Sequence, residues 1–167
     1  LSVGGILVPL DKDWQGEDLA ETAKTAEADF VFCDKELADK ADKIAEKIEL
    51  VSKPFYMNAE ASDEFSVAQM TEEGKVKFAA SSEAYYNAEI DPLALGLLVF
   101  TSGTTGKRKG VMLSSANLIA NITYTEFEHE RNEVLLSVLP MHHIFCFTSD
   151  YFKSLLEGFT VCLNGEL

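Results

Sequence analysis

Apolar and polar residues in the first third of this chain follow two different periods. Short apolar runs predict buried strands, whereas apolar residues three and four positions apart predict one buried face of a helix. The predicted order is strand, helix, strand, helix, over Gly5–Leu10, the Leu19–Ala26 face, Asp29–Cys33 and the Leu37–Ile48 face. Strands that alternate with helices favour a mainly parallel β-sheet with flanking crossover helices, so the sequence predicts the α/β fold class.

The second half of the chain continues with short strands and two further helices. Leu97–Phe100 is a strand that ends in a polar loop, and Val111–Leu113 forms a second strand, which makes the loop a hairpin tip. Ser114 or Ser115 suits the N-cap of the next helix. The other predictions are a buried helix face of Leu118, Ile119 and Ile122, strands at Val134–Leu139 and Thr160–Leu163, and a helix at Ser149–Glu157 closed by Gly158. In the first half of the chain, Lys75–Phe78 is predicted to be a short strand.

The loop between the hairpin strands carries the most distinctive chemistry of the chain. It combines hydroxyls, glycines and three consecutive cations in the order Thr101, Ser102, Gly103, Thr104, Thr105, Gly106, Lys107, Arg108, Lys109. Glycines let backbone N–H groups approach an anion, hydroxyls add donors, and lysine supplies a mobile charge. This combination suits a polyphosphate at a strand end, and a polar surface turn is the alternative. The spacing matches neither a Walker loop nor a G-x-G-x-x-G fingerprint.

Composition narrows the possible partners. The net charge of −14 opposes nucleic-acid binding, which depends on cations at phosphates, and it makes the cations at 107–109 a local exception. The apolar runs are too short to span a bilayer. Three widely spaced cysteines, Cys33, Cys146 and Cys162, indicate buried free thiols and a cytoplasmic location. A zinc site from His142, His143 and Cys146 is disfavoured by its spacing, and no metal site is predicted.

Three segments resemble signatures of one family. The stretch from Thr101 to Val111 is similar to the phosphate loop of the adenylate-forming, or AMP-binding, enzyme superfamily. Val8-Pro-Leu-Asp11 resembles an upstream strand end of the family, and the segment from Val138 to Phe145, with Pro140 and His143, resembles a downstream motif. The residues that follow the loop are most similar to bacterial long-chain fatty acid–CoA ligases.

The resemblance implies an ATP-dependent activation of a carboxylic acid. It implies an acyl-adenylate, then an acyl-CoA thioester, with ATP, Mg²⁺ and coenzyme A as the small molecules and a fatty acid as the expected substrate. Residues Thr101 to Gly106 would wrap the β- and γ-phosphates, Lys109 would neutralise departing pyrophosphate, and His143 would line the path between acyl chain and nucleotide. Lys109 and His143 are therefore the candidate catalytic residues. Arg108 departs from the proline that many members have there.

The resemblance also implies a three-layer αβα arrangement within the large N-terminal domain of such an enzyme. We expect residues 1–167 to be a partial AMP-binding domain, excised from a longer protein, with a subdomain change near 128–134. The chain alone is then expected to be inactive, and apolar surface exposed by truncation favours self-association. Two alternatives remain: an adenylation domain that loads a carrier protein, and a non-catalytic nucleotide-binding module.

Overall fold

The computed structural model describes residues 4–101, 108–126 and 133–163. Within the chain, Asp11–Glu89 forms one compact unit, and Leu1–Leu10 together with Ile90–Leu167 forms a second. The boundary expected near 128–134 falls largely outside the described residues, so it stays a prediction. No helix in the described ranges combines the length and apolar character needed to cross a membrane.

The Asp11–Glu89 unit is built on a pair of packed helices. Helix α1 (Gly16–Thr25) and helix α2 (Ala38–Lys47) contact each other and bury small and aliphatic residues, as their 3.6-residue pattern predicts. Strand β1 (Phe32–Cys33) pairs in parallel with strand β2 (Phe55–Tyr56), and a 3₁₀ turn spans Lys35–Leu37. Two more helices follow, α3 (Val67–Ala80) and α4 (Glu83–Tyr86).

The strand predicted at Lys75–Phe78 is wrong, because these residues lie inside α3. The Ser66 hydroxyl accepts a 3.0 Å hydrogen bond from the Gln69 amide and starts this helix nine residues earlier. Val76 and Phe78 are 71% and 48% exposed, so their alternation with lysines does not reflect a buried sheet face.

The second unit contains the predicted hairpin. Strand β3 (Leu95–Thr101) pairs antiparallel with strand β4 (Lys109–Ser114). Leu7 joins β3 by a single parallel bridge to Leu97. The buried strand predicted at Gly5–Leu10 is therefore wrong: it is reduced to this bridge, and Leu7 is 41% exposed. Pro9 lacks the N–H that a longer ladder needs.

Helix α5 (Ser115–Tyr124) follows β4 directly and begins with a capping box. The Ser114 hydroxyl accepts from the Asn117 amide, and the Asn117 side-chain oxygen accepts from the Ser114 amide. The predicted N-cap at Ser114 is confirmed. On the predicted apolar face only Leu118 is fully buried, and Ile119 is 57% exposed, so its predicted burial is wrong.

The rest of the unit is a strand pair joined through a long helical segment. Strand β5 (Val134–Ser137) pairs in parallel with strand β6 (Thr160–Leu163). Between them, a π-helical stretch (Cys146–Phe152) continues into helix α6 (Lys153–Glu157), so the helical segment begins earlier than the predicted Ser149. Gly158 ends it with a φ of +81°, a left-handed conformation that glycine adopts without steric cost.

One hydrophobic cluster organises this second unit. Leu97 and Val99 of β3 pack with Leu118 of α5 and Phe147 of the π-helical stretch. Leu113, Ile144 and Phe152 surround them. Two of the three strand pairs in the described residues are parallel and one is antiparallel, and the predicted α/β class is confirmed.

Candidate functional site

The hairpin holds the two ends of the candidate phosphate loop side by side. Thr101, the last residue of β3, is the register partner of Lys109, the first residue of β4. The loop thus starts and ends on a hydrogen-bonded ladder, as the hairpin prediction requires. The intervening candidates lie outside the described residues and stay predictions: Ser102, Gly103, Thr104, Thr105 and Gly106.

At the base of this loop, the backbone of β4 lies close to side chains of β3. A Cβ atom at Gly110 would lie 3.0 Å from Cδ1 of Leu98 and 3.4 Å from Cε1 of Phe100. Glycine therefore lets β4 lie against the β3 side chains immediately beside Lys109. Sequence reasoning assigned no role to Gly110, although a glycine inside a strand pattern is the signal for such a close approach.

Lys109 is exposed and available to an anion. Its side chain makes no hydrogen bond or ion pair within the described ranges, and it stands on a chain of net charge −14. A solvated ammonium next to the end of an anchored strand is a suitable counter-charge for phosphate.

His143 lies in a tight turn between β5 and the helical segment. Its amide donates a 2.9 Å hydrogen bond to the Pro140 carbonyl, and its own carbonyl accepts one of 2.9 Å from the Phe147 amide. The imidazole is exposed and lies 5.6 Å from the ring of His142, centroid to centroid. Because Phe147 is part of the cluster around β3, the helix that begins after His143 packs against the strand that leads to Thr101.

A buried polar cluster lies beneath the His143 turn. Ser137 donates a 2.8 Å hydrogen bond to the Asp150 carboxylate. The Cys146 thiol donates to the Leu139 carbonyl at 3.1 Å, and its sulfur lies 3.3 Å from Oγ of Ser137. Burial raises the pKa of the Cys146 thiol, so the thiol stays protonated at neutral pH. The sequence analysis did not identify this cluster, because Ser137 and Asp150 are thirteen residues apart.

A cavity of about 330 Å³ opens between α5 and the helical segment after His143. Its wall is mainly apolar, with several amide and hydroxyl groups among the lining residues. The lining includes Leu113, Leu118, Asn121, Ile144, Phe145 and Ser149. Its size and composition suit a small organic group or part of a longer apolar chain.

The three cysteines are free thiols, as predicted, but their burial differs. Cys146 is buried, Cys33 is half-buried and Cys162 is exposed, so the predicted burial of Cys162 is wrong. Among the described residues no group of three histidine, cysteine or acidic side chains is arranged to hold a metal ion.

Comparison with known proteins assigns the family. The model of the AMP-binding enzyme family matches residues 1–166. The chain belongs to this family of AMP-binding, adenylate-forming enzymes.

Two curated relatives show the range of similarity. A long-chain fatty acid–CoA ligase of Escherichia coli O6:H1 is 39% identical over 69 residues, which is 38% of this chain and 12% of the ligase. Surfactin synthase subunit 1 of Bacillus subtilis is 27% identical over 165 residues, which is 96% of this chain and 4% of the synthase. The chain thus spans a small part of the length of these relatives.

A solved structure supports the same fold. ATP-bound MatB from Rhodopseudomonas palustris aligns with 96% of this chain and 30% of its own, with a TM-score of 0.68 and 23% identity. At this identity the alignment establishes the fold, and the roles of Lys109, His143 and the loop residues remain predictions.

Proposed function

We propose that this chain is the phosphate-binding part of a longer ATP-dependent ligase that activates a carboxylic acid. The observation that carries the proposal is the Thr101–Lys109 register pair, which brackets a glycine- and hydroxyl-rich loop in a member of the AMP-binding family. In this proposal, Thr101 and residues 102–106 hold the β- and γ-phosphates of ATP, and Lys109 faces the charge that develops on pyrophosphate.

The first step forms an acyl-adenylate. A carboxylate oxygen of the acid attacks the α-phosphorus of ATP, and the bond between that phosphorus and the bridging oxygen breaks. Pyrophosphate leaves with the electron pair. Catalysis of such displacements rests on positioning and charge stabilisation, so hydroxyl and N–H donors with one lysine at the leaving group are the required chemistry. Mg²⁺ carried by ATP shares the phosphate charge.

The second step transfers the acyl group to a thiol. The sulfur of coenzyme A attacks the acyl carbonyl, the thiol proton is released, and AMP leaves with the electron pair of the broken C–O bond. AMP is a far better leaving group than oxide, which is why the acid is adenylated first. We place His143 beside the reacting carbonyl, since its ring is exposed at the start of the helix that packs under β3.

We propose a long-chain fatty acid as the substrate. The 39% identity to the Escherichia coli fatty acid–CoA ligase supports this class. The largely apolar cavity beside Ile144 and Phe145 also supports it, because that cavity adjoins the first turn after His143 and offers apolar contacts to an acyl chain.

A second candidate is an adenylation domain that passes the acyl group to a carrier protein. The similarity to surfactin synthase subunit 1 favours this candidate, because it extends over 96% of the chain rather than 38%. The two candidates share the adenylation step and differ in the thiol acceptor. A non-catalytic nucleotide-binding module would retain the loop and lack both steps.

The experiment is acid-dependent exchange of labelled pyrophosphate into ATP, measured with the complete protein that contains this chain. A panel of acids from two to eighteen carbons identifies the substrate, and acyl transfer is then compared between coenzyme A and a carrier-protein thiol. The proposal expects exchange that peaks with a long-chain acid and transfer to coenzyme A. Exchange with an amino acid and transfer to the carrier would support the second candidate. Absence of exchange with every acid, in protein that binds ATP, would leave the non-catalytic module.

A further inference from the structure

The turn that carries His143 is anchored at both of its ends by buried side chains. On one side lies Ser137, the last residue of β5, and on the other lie Cys146 and Asp150 of the π-helical stretch. We propose that the Ser137–Cys146–Asp150 cluster positions His143 for the acid-activating reaction. The catalytic relevance of His143 rests on the proposed function, whereas the positioning itself does not.

The contacts of Cys146 span the segment that leads into the turn. Its thiol donates to the Leu139 carbonyl at 3.1 Å, and its sulfur also lies 3.5 Å from the sulfur of Met141. The sulfur is 3.3 Å from Oγ of Ser137, and the residue has no exposed surface. A single buried side chain therefore contacts three residues between the end of β5 and His142.

A hydrogen bond to Asp150 is the second anchoring contact. Its carboxylate accepts a 2.8 Å hydrogen bond from Ser137, and both residues are buried, at 9% and 4% exposure. A charge-assisted hydrogen bond in such a place is short and strong, and loss of either partner leaves a polar group buried without its bond.

Ser137 contacts both of the other members of the cluster. A serine hydroxyl and a thiol each carry one proton. The Ser137 hydroxyl donates to the Asp150 carboxylate, and its oxygen, which lies 3.3 Å from the Cys146 sulfur, keeps lone pairs that can accept from the thiol. The thiol also donates to the Leu139 carbonyl. The Ser137 hydroxyl is thus the group that links Asp150 to Cys146.

These contacts of Cys146 and Asp150 restrict the backbone conformation of His143. The turn between them is closed by the 2.9 Å bond from the His143 amide to the Pro140 carbonyl. The imidazole itself is exposed, so the cluster fixes the backbone position of His143 and leaves its ring accessible. A reacting group needs this combination of an anchored backbone and an accessible side chain, and misplacement by about 1 Å can cost roughly a hundredfold in rate.

The test combines kinetics with a direct reading of His143 in the complete protein. Histidine is labelled with ¹³C at Cε1, and the His143 resonance is assigned with His143→Gln. Ser137→Ala and Asp150→Ala are expected to move this resonance. They should lower kcat of acid-dependent pyrophosphate exchange by roughly ten- to a hundredfold and leave KM for ATP within about twofold. Asp150→Asn keeps an acceptor for Ser137 and is expected to restore both readouts.

Ser154→Ala is the matched control. Ser154 is buried in the same helical segment, and its hydroxyl has no hydrogen-bond partner in the described part of the chain, so its removal should change neither readout. If Asp150→Ala does not fold, Ser137→Ala decides. An unchanged His143 resonance in Ser137→Ala would overturn the positioning claim. A shifted resonance together with a fully active His143→Gln would instead refute the proposed role of His143 and leave the positioning intact.

Discussion

Thr101 and Lys109 are register partners at the loop end of the β3–β4 ladder. Below this pair, Phe100 faces Gly110 and Val99 faces Val111, and Leu97 and Val99 are anchored in the main cluster of the unit. The ends of the candidate phosphate loop are therefore held together by a packed hairpin. A loop anchored in this way can present donors to an anion without first losing the entropy of closing its ends.

The two interior glycines of β4 and α3 should respond in opposite ways to alanine. A Cβ at Gly74 has no atom within 4 Å, so Gly74→Ala is expected to raise the free energy of unfolding by about 0.5–1 kcal/mol through helix propensity. A Cβ at Gly110 would meet Leu98 at 3.0 Å, so Gly110→Ala should lower it by about 1 kcal/mol. Denaturant unfolding of both variants measures the difference. An equal gain in both would show that β4 does not lie this close to β3.

The capping box of α5 should be measurable by truncating one hydroxyl. Ser114→Ala removes the 3.2 Å bond from the Asn117 amide to Oγ of Ser114 and is expected to cost about 1 kcal/mol. Ser115→Ala, one residue further along and past the cap, is the control and should change stability by less than about 0.5 kcal/mol. Equal losses in the two variants would contradict the assignment of Ser114 as the N-cap.

Two buried serines of the second unit should differ sharply on truncation. Ser154 has no hydrogen-bond partner in the described part of the chain, so Ser154→Ala is expected to be neutral or stabilising. Ser137→Ala leaves the buried Asp150 carboxylate without its donor and should cost about 1–3 kcal/mol. Thermal unfolding monitored by circular dichroism separates the two cases, and a larger loss for Ser154→Ala would contradict the hydrogen-bond assignments.

Acid should weaken the ion pairs that join helices α1 and α2 of the Asp11–Glu89 unit. Glu17 pairs with Lys43 at 2.7 Å, and Glu21 pairs with Lys47. Hydrogen bonds from these lysines hold the pKa values of both carboxyls below their usual range. Their stabilisation is therefore present above the unfolded Glu pKa of about 4.3 and is lost as the pH falls through the lower folded values.

The Glu17–Lys43 ion pair also loses its stabilising effect at high pH. The hydrogen bond to Glu17 raises the pKa of Lys43, so its contribution persists up to the unfolded Lys pKa of about 10.4 and is lost only above it. In acid, Glu17→Gln with Glu21→Gln should flatten the dependence of stability on pH below the unfolded Glu pKa of about 4.3. An unchanged slope would mean that these exposed pairs contribute nothing measurable.

Sequence patterns predicted the elements whose signals are local. The hairpin, the Ser114 cap, the Gly158 helix end and the β6 strand all follow from turn chemistry or short apolar runs. The α/β class follows from the alternation of strands and helices. These predictions succeeded because backbone conformation at caps and turns depends on a few adjacent residues.

The failures share a different cause. Whether Leu7 forms a strand depends on a neighbour ninety residues away, and Val76 alternates with lysines in a helix as it would in a strand. The Ser137–Asp150 bond joins two elements that no local pattern connects. For the site, the sequence predicted which residues flank the loop, whereas the packing at Gly110 and beneath His143 required three-dimensional contacts.

The central claim is that Lys109 and the loop it closes hold the departing pyrophosphate. Lys109→Gln removes one positive charge from the site, and Lys77→Gln removes one from an exposed position of α3, so the two variants have the same net charge. Loss of a charged hydrogen bond to phosphate is worth about 1.5–3 kcal/mol, or roughly ten- to a hundredfold in rate.

The decisive measurement is acid-dependent exchange of labelled pyrophosphate into ATP by the complete protein and these two variants. We expect Lys109→Gln to lose roughly ten- to a hundredfold in kcat/KM for pyrophosphate, while Lys77→Gln matches the unaltered protein. Equal exchange rates in Lys109→Gln and Lys77→Gln would contradict the account.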